Sequence, residues 1–485
     1  MTKITTLADD AGIAFETLLS SVSDLWSPSL RLGVTGLSRA GKTVFITALV
    51  HNLVHGGRLP LFGAYANQRL TGAKLEPQPD DGVPRFDYES HLHDLVEERI
   101  WPQSTRSISE LRLTIDYESA SAWSRRFGPG RLSIDLVDYP GEWLLDLPLL
   151  GKSYAEWSAE ALDLAVQPAR LSLSDAWRGQ VEKIDATAEQ DESVARDLAS
   201  TFTDYLRACR ADNTALSTLP PGRFLLPGDL EGSPALTFAP LKIENGQSAA
   251  KDSFHAMMER RFESYKSIVV KPFFRDHFAR IDRQIVLVDA LQALNAGPGA
   301  VADLKTALAD ILKCFRPGGA SWLTSWFSSR TDKILFAATK ADHLHHSDHD
   351  RLESLLRELV REAVEHAQFN DASVDVAALA AVRATREGTV QHDGSELPVI
   401  LGVPMKGERI AETKFDGKTE SAVFPGDLPK NTGSMIEGPT NGSSNLNFVR
   451  FRPPALEETD DGVSLSLPHI RLDRALEFLI GDRLA

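Results

Sequence analysis

An eight-residue stretch near the start of the chain, GLSRAGKT at residues 36–43, limits the fold more than any other feature. It fills every fixed position of the pattern G-x-x-x-x-G-K-T. Residues 30–35 precede it and predict a short buried strand, while residues 44–55 carry apolar side chains at helical spacing. The stretch therefore connects a strand to a helix, which is the context in which this pattern forms a phosphate-binding loop.

The spacing of this loop has a physical reason. Glycines let backbone N–H groups curl around a phosphate, and the helix N-terminus behind them favours negative charge. We predict that Lys42 reaches the β- and γ-phosphates of a nucleotide and that Thr43 holds Mg2+ through its hydroxyl. The alternative, a glycine-rich turn that binds nothing, leaves the agreement of strand, loop and helix unexplained. The other loop residues predicted to contact the nucleotide are Gly36, Ser38, Arg39, Ala40, Gly41 and Val44.

Composition narrows the class of protein. A length of 485 residues suggests about three domains, or one domain with large insertions. The chain has 52 basic and 68 acidic residues, a net charge of -16, which argues against a nucleic-acid partner because nucleic acid binds a basic face. The two cysteines, Cys209 and Cys314, cannot form a disulfide framework and are predicted to be buried small hydrophobic residues.

The sequence predicts a cytoplasmic protein. Residues 1–20 are acidic and amphipathic, without the pattern of a signal peptide, and no apolar stretch is long enough to span a bilayer. The aromatic run SWLTSWF at residues 321–327 would suit a peripheral contact with the inner membrane, or a protein partner, if it were exposed. Burial beneath an insertion is the alternative.

A second nucleotide signal follows a predicted strand pair. Residues 111–117 and 132–137 alternate apolar and polar side chains, and the second run leads directly into DYPG at residues 138–141. Asp138 is predicted to act on the Mg2+ shell, and Gly141 to follow the γ-phosphate. Thr105, just before the first of these strands, is predicted to be a ligand of Mg2+ and the γ-phosphate.

Further along, the chain predicts a nucleotide-binding core with two insertions. The next buried strand lies at residues 285–288, and the residues before it are mostly helical by pattern, as a lid or arm would be. Buried strands at 333–338 and 376–382 alternate with helices, which is typical of a mostly parallel sheet. Residues 56–87 predict a long irregular loop or a small excursion from the core. The predicted units are an N-terminal helix at 1–27, a core made of 28–149, 281–387 and 467–485, a helical insertion at 150–280 and a β-rich insertion at 388–466.

The strand at 333–338 delivers the motif TKAD to the sheet edge where open α/β sheets bind ligands. The order of GLSRAGKT, Thr105, DYPG and TKAD resembles the GTPase branch of the P-loop NTPases. The resemblance implies that Lys340 lies along the base and that Asp342 accepts two hydrogen bonds from guanine, which adenine cannot offer. Thr339 stands where asparagine is commoner in that branch.

The last predicted strand of the core leads to Ala384 and Thr385. By the same resemblance, Ala384 offers a backbone N–H to the guanine oxygen, with Thr385 beside it. The sequence Arg383-Ala384-Thr385 is only distantly similar to the usual S-A-K of GTPases. The alternative is that these residues only end the strand and do not bind the base.

Several segments taken together resemble one bacterial family. GLSRAGKT, WPQST, DYPGEW, TKAD and the closing HIRLDRALEFLIGDRL are similar to the YcjX-like family, and the likeness runs through essentially the whole chain. This family consists of predicted GTPases associated with envelope stress. The resemblance implies an α/β fold with a Ras-like P-loop NTPase core and a mostly parallel sheet, with GTP or GDP and Mg2+ as its ligands.

Candidate catalytic residues lie around the predicted phosphates. Glu142 occupies the position where many small GTPases have glutamine, and a carboxylate there could orient the attacking water. Its alternative is an exposed acidic residue on a switch loop. Arg39 and Arg106 could stabilise transition-state charge together with Lys42, or could simply be exposed loop arginines.

A histidine-rich run follows the TKAD motif. His343, His345, His346 and His349 lie within DHLHHSDHD at residues 342–350 and could be taken for a metal cluster. A closed metal site needs converging ligands, and this run begins at the residue predicted to bind the base. We therefore predict a solvated helix start instead.

The sequence as a whole predicts a GTPase that is slow without a partner. GTP hydrolysis would release the contacts of Thr105 and Gly141 with the γ-phosphate and would shift the inserted lid, where a protein partner is expected. One alternative is an ATPase or a kinase on the same loop. Another is a nucleotide-gated binding module with negligible hydrolysis.

Overall fold

A computed structural model gives the fold of the protein. Neither the predicted N-terminal helix nor the aromatic run at 321–327 falls within the residues it describes, and the same holds for Ser38 and Cys314. Cys209 is buried, as predicted. The described residues are 29–37, 39–103, 105–121, 130–212, 218–243, 249–313, 331–361, 364–365, 372–392, 394–428, 446–456 and 466–485.

A seven-stranded sheet forms the centre of the molecule, in the order β2-β3-β4-β1-β5-β6-β7. The five strands from β4 to β7 in that order are parallel, while β3 is antiparallel to both of its neighbours. Its strands are β1 (Ser29–Gly36), β2 (Leu70–Glu76), β3 (Ser109–Tyr117), β4 (Gly130–Asp138), β5 (Arg283–Val288), β6 (Lys333–Ala338) and β7 (Ser373–Ala378).

Helices cover both faces of this sheet. The helices are α1 (Lys42–Val54), α2 (Gly63–Ala66), α3 (Tyr88–His93), α4 (Tyr154–Ala165), α5 (Asp175–Val181), α6 (Glu192–Ala211), α7 (Phe254–Tyr265), α8 (Lys271–Asp276), α9 (Ala290–Ala296), α10 (Pro298–Lys313), α11 (His349–Leu359) and α12 (Leu472–Ile480). Short π-helical turns follow α3 and α7, and a 3-10 helix spans Gly141–Gly151.

The sheet explains why its central strands read as continuous apolar runs. Every residue of β5 is buried, because α1 and α12 pack on one face of the sheet and α10 and α11 pack on the other. In α12, Leu472, Leu476 and Leu479 recur at helical spacing and are fully buried. The predicted α/β fold with a mostly parallel sheet is therefore confirmed.

Helices α4 to α8 pack around an aromatic cluster of their own. Trp157 stacks on Phe262 with ring centres 5.1 Å apart, and Trp177 stacks on Tyr205 at 5.3 Å. The same apolar cluster continues into Trp143, in the 3-10 helix that follows β4. The helices after DYPG thus share a core with the segment that leaves the central sheet. The predicted unit boundaries stay predictions.

Short antiparallel strands follow β7. The strands β8 (Arg386–His392), β9 (Ser395–Gly402) and β12 (Ser421–Val423) form one sheet, and β10 (Arg409–Ile410) pairs with β11 (Thr413–Lys414). This sheet packs its own small apolar cluster, which includes Ile400 and Phe451.

The prediction of an irregular loop over residues 56–87 was wrong. This stretch contains α2 and β2, and β2 forms the outer edge of the central sheet by pairing with β3. The sequence of β2, LTGAKLE, is mostly polar and small, and its register shifts between Leu70 and Gly72. An edge strand has only one partner and one covered side, so its pattern is weak and its pairing with β3 decides its structure.

Candidate functional site

A cavity of about 330 Å3 opens at the carboxyl edge of the parallel strands. The phosphate loop forms one end of it, and the TKAD segment with the turn after β7 forms the other. The structure therefore brings the phosphate loop, Thr105, Glu142 and TKAD into one space. We refer to these regions as the phosphate end and the base end. The predicted residues that line this cavity are Arg39, Ala40, Gly41, Lys42, Thr43, Val44, Thr105, Glu142, Thr339, Lys340 and Asp342.

The phosphate loop has the backbone conformation that its glycines predict. Gly41 adopts a φ of 88° directly before α1, and none of the described side chains caps that helix. Arg39 is also left-handed, with a φ of 64°. Lys42 Nζ donates a hydrogen bond to the Gly36 carbonyl at 3.1 Å. The N-terminus of α1 is thus suited to bind an anion, and the side chain of Lys42 folds back over the loop.

Lys42 is buried, and burial lowers its pKa, while the carboxylates of Asp138 and Glu142 act in the opposite direction. A cation held in a buried position beside two carboxylates is poorly solvated. Such a cation gains much from a multiply charged anion that enters the cavity.

The three predicted Mg2+ ligands lie together at the phosphate end. The hydroxyl oxygens of Thr43 and Thr105 are 3.2 Å apart, and Thr105 Oγ1 donates to Asp138 Oδ2 at 2.6 Å. Burial raises the pKa of Asp138 to about 6, against the effects of Lys42 and Thr105. Asp138 Oδ1 is buried and has no hydrogen-bond partner among the described residues. Hydroxyl and carboxylate oxygens with one unused acceptor suit Mg2+.

Gly141 lies against the phosphate loop. A Cβ at this position would come 2.1 Å from the Gly36 carbonyl oxygen and 3.0 Å from Lys42 Nζ. Only glycine therefore allows the segment after β4 to approach the loop this closely. Gly36 and Gly141 shape the phosphate end through their backbone.

Glu142 is not the exposed acidic residue that the alternative interpretation assumed. It is 2% exposed, it lines the cavity, and its Oε1 lies 2.8 Å from Nη2 of Arg210. Arg210 comes from the end of α6, and the sequence reasoning missed it. It stands in an ordinary amphipathic helix with no motif around it, so no local signal could have found it.

The two arginines predicted to act in catalysis have different positions. Arg39 is exposed and lines the cavity. Arg106 donates to Gln103 Oε1 at 3.2 Å and is not among the described residues that line the cavity. The structure thus brings Arg39 to the phosphate end and leaves Arg106 outside it.

At the base end, Asp342 is buried and closely held. Its Oδ2 accepts a hydrogen bond from the backbone N–H of Ala384 at 2.9 Å, and Thr385 Oγ1 donates to its carbonyl oxygen. Lys340 has a φ of 62° and forms an ion pair with Asp289. The predicted donor to a guanine oxygen, the N–H of Ala384, is used here to orient the carboxylate of Asp342.

Residues far along the chain complete the base end. Met405, Arg450 and Phe451 line the cavity, and all three lie in the stretch predicted to be a β-rich insertion. Trp101 Nε1 donates to the Phe451 carbonyl at 2.6 Å, and the ring of Phe451 meets that of His343 edge-on at 5.6 Å. Sequence reasoning missed these residues, because they are distant in the chain and belong to no motif.

The histidines after TKAD separate into two groups. His343 and His349 are buried, and burial lowers the pKa of both side chains. His345 and His346 lie with Glu387, and each of the three offers one ligand atom within 4.8 Å of the others. His346 Nδ1 lies 2.7 Å from Glu387 Oε2. The 3-10 turn and α11 that begin here agree with the predicted helix start, but the prediction that it is solvated was wrong for His343 and His349, which are buried.

The sequence profile of the YcjX-like family, DUF463, matches residues 30–484. The chain belongs to the YcjX-like family. It is 42% identical over 466 residues to the "Ras-like GTPase YcjX" of Escherichia coli (strain K12), a match that covers 94% of this chain and 96% of the relative. It is 36% identical over 475 residues to the protein of the same name from Shewanella oneidensis, with 94% of each covered.

These matches confirm the family resemblance seen in the sequence, and the naming of both relatives as Ras-like agrees with the observed fold. Because each match covers more than nine tenths of both chains, the YcjX-like likeness includes the stretches between the nucleotide motifs. Within the part of the chain that the structure describes, no helix has both the length and the apolar character needed to cross a bilayer.

Proposed function

We propose that this YcjX-like protein binds GTP with Mg2+ and hydrolyses it to GDP and phosphate. One observation carries the proposal. A single cavity joins a phosphate loop, the hydroxyls of Thr43 and Thr105, and the buried carboxylate of Asp342, and Thr105 bonds Asp138, whose other oxygen is buried and unused. The names of both relatives, Ras-like GTPases, support the same ligand.

Base selection is assigned to Asp342. Its carboxylate accepts one hydrogen bond from Ala384, which fixes its orientation while leaving acceptor capacity on both oxygens. Guanine carries two neighbouring N–H donors on its pairing edge, and adenine cannot present the same pair. A buried acceptor left without its donors is costly, so we propose that this site rejects adenine.

At the phosphate end, each residue has a distinct role. Lys42 binds the β- and γ-phosphates, and Thr43, Thr105 and Asp138 hold Mg2+, which neutralises charge on those phosphates when bound. Glu142 lies at the wall of the cavity, where its carboxylate can orient a water molecule. Its negative charge repels the γ-phosphate, so we expect slow turnover without a partner.

We further propose that hydrolysis operates a switch. Thr105 and Gly141 would lose their γ-phosphate contacts, and Gly141 begins the 3-10 helix that shares a core with helices α4 to α8. A protein partner on those helices would sense the change. We also propose, on the family resemblance, that this switch serves bacterial envelope stress, and, on the sequence, that it acts in the cytoplasm with at most peripheral contact with the inner membrane.

Binding measurements with GTP, ATP and XTP test base selection. We expect Asp342→Asn to weaken GTP binding by about 100-fold, since it loses charge-assisted hydrogen bonds, and to improve XTP binding, since an amide can donate to the extra oxygen of xanthine. Asp350→Asn is the matched control, because this aspartate is 89% exposed. Equal GTP affinity in the parent and Asp342→Asn would refute the assignment, and tight ATP binding would favour the ATPase or kinase.

Phosphate release tests hydrolysis. The parent, Glu142→Ala, Arg39→Ala and Arg106→Ala should be compared at saturating GTP. We expect Glu142→Ala and Arg39→Ala to be slower than the parent, and Arg106→Ala to be close to it, because Arg106 is turned towards Gln103. Tight GTP binding without any phosphate release by the parent would support the nucleotide-gated binding module instead.

A further inference from the structure

Helix α6 places a cation beside the phosphate end. Arg210, the last residue but one of α6, has its guanidinium 2.8 Å from Glu142 Oε1. The Arg210 side chain is 26% exposed and that of Glu142 is 3% exposed, so the pair lies at the boundary between cavity wall and solvent. The charge thus reaches the nucleotide site from a helix that lies outside the central sheet.

Arg210 also faces the phosphate loop. A small cavity of about 50 Å3 lies behind the loop and is lined by Arg210 together with Leu37, Arg39 and Ala40. The guanidinium is therefore next to the phosphate end, and open space separates it from the loop.

The helical region that contains Arg210 contacts the segment that contains Glu142 at several points. Asp146 accepts hydrogen bonds from the Gly222 N–H at 2.7 Å and the Tyr265 hydroxyl at 2.6 Å. The guanidinium of Arg223 stacks 3.1 Å above the ring of Trp143. A Cβ on Gly222 would come 1.8 Å from the Glu142 carbonyl oxygen, so the two backbones touch. These contacts join the segment of Glu142 to residues 222–223 and to α7, which shares one apolar cluster with α6.

We propose that Arg210 is a catalytic arginine supplied in cis, held on Glu142 before reaction and moved to the transferred phosphoryl group in the transition state. This assignment rests on the proposed GTPase function. Water attacks the γ-phosphorus and forms a new P–O bond, while the bond to the β–γ bridging oxygen breaks and its electron pair leaves on GDP. One proton of the water stays on the phosphate product and the other passes to solvent. Arg210 offsets the negative charge that develops on the transferred group.

A catalytic role for Arg210 also explains how Glu142 can lie close to a negatively charged triphosphate. A buried carboxylate beside a triphosphate repels it, but Glu142 is paired with a cation that can turn to the phosphate when Glu142 engages the water. Arg39 is the rival for the same role, because it is exposed and lines both cavities. For either arginine, the guanidinium with its five donors suits the phosphoryl group better than the ammonium of a lysine would.

Single-turnover GTP hydrolysis by matched variants tests the proposal. Arg210→Gln removes the charge and keeps a polar side chain, and Arg210→Lys keeps the charge without the planar fork. Arg207→Ala is the control, because Arg207 lies on the same helix, pairs with Asp204 at 3.0 Å and is 61% exposed. We expect Arg210→Gln to slow hydrolysis about 10³-fold with GTP affinity nearly unchanged, Arg210→Lys to recover at most a small part, and Arg207→Ala to match the parent.

Capture of GDP with aluminium fluoride, which mimics the transferred phosphoryl group, separates this role from a structural one. The parent and Arg207→Ala should bind this complex, and Arg210→Gln should not, at equal melting temperature. Hydrolysis by Arg210→Gln within tenfold of the parent, capture of aluminium fluoride by it, or a loss confined to Arg39→Gln would overturn the assignment while leaving the GTPase intact. A parent that binds GTP without hydrolysing it would overturn the proposed function, and this assignment with it.

Discussion

The two ends of the nucleotide cavity are built in different ways. The phosphate end consists of short continuous segments, the loop between β1 and α1 and the turn after β4, with buried charged and hydroxyl side chains. The base end collects Asp342, the turn after β7, and Met405, Arg450 and Phe451 from residues far along the chain. Phosphate is bound by backbone geometry that a short sequence can specify, whereas the wall around the base requires distant segments to meet.

The two ends also differ in how they are connected to the rest of the molecule. The phosphate end contacts the helices after β4 through Glu142 and Arg210, while the base end contacts the short strands after β7 through Phe451. Trp101 joins them, because it lies four residues before Thr105 and donates to the Phe451 carbonyl. Substitutions at the two ends should therefore have different effects. A substitution at Trp101 should affect both ends, because this residue connects them.

The largest effect is expected at the phosphate end. Lys42→Ala removes a buried cation and leaves Asp138 and the bound phosphates without it. We expect GTP affinity to fall by about 10²- to 10³-fold, as the loss of a buried charge partner costs about 3–5 kcal/mol. Fluorescent GTP titration measures this, with Lys74→Ala as the control because Lys74 is 53% exposed on the edge strand β2. An unchanged affinity would mean that the loop binds no phosphate.

The Mg2+ corner gives an effect that depends on pH. Since burial raises the pKa of Asp138 to about 6, the carboxyl group is protonated below that pH and cannot bind the metal. We expect Mg2+ affinity to fall by about tenfold per pH unit below 6. Mg2+ titration of the GTP complex between pH 7 and 5 measures it, and Asp138→Asn should make the slope shallower, leaving only the part that comes from protonation of the phosphates. A constant affinity over this range would remove Asp138 from the metal site.

The sign for the metal-free protein is opposite. Because the pKa of Asp138 is raised above its ordinary value, the neutral carboxyl is the form that the fold prefers. The contribution of this group to stability therefore rises as pH falls through about 6. As pH falls through about 6, this group should raise the melting temperature of the metal-free protein, while Mg2+ binding weakens. A loss of metal binding can therefore be told apart from a loss of the fold.

A smaller effect is expected where the two ends meet. Trp101→Ala removes an aromatic wall of the cavity and the hydrogen bond to Phe451. We expect a loss of about tenfold in affinity for GTP and GDP alike, because a stacking surface for the base is worth about 1–3 kcal/mol. Trp101→Phe, which keeps a ring, should recover most of it. A loss restricted to GTP would instead place Trp101 at the γ-phosphate.

Much of the fold could be predicted from the sequence, because its elements carry strong local patterns. The strands at 285–288 and 333–338 are continuous apolar runs, and both are buried strands of the sheet. The edge strand β2 was missed, since its residues LTGAKLE have little pattern and its structure depends on pairing with β3. Local patterns report burial and periodicity, and an edge strand has little of either.

The candidate site shows the same division. Lys42, Thr43 and Asp138 could be placed by sequence alone, because each belongs to a motif whose spacing is set by phosphate and metal geometry. Arg210 and Phe451 could not be placed in this way. One lies at a helix end and the other in a short loop segment, and both join the site only through tertiary contacts. Likewise, the burial of Glu142 follows from its contact with α6, which no residue near it encodes.

By itself, the sequence determined that a strand, a glycine-rich loop and a helix form a phosphate site, and that a parallel sheet carries it. Those features depend on backbone conformation and on the periodic burial of apolar side chains, both of which are local properties. Only the tertiary structure decided which side chains close the cavity, how Glu142 is paired, and that helices and short strands from two distant stretches meet its two ends. These outcomes depend on contacts between segments that are hundreds of residues apart, such as Trp101 with Phe451, and no local pattern specifies such contacts.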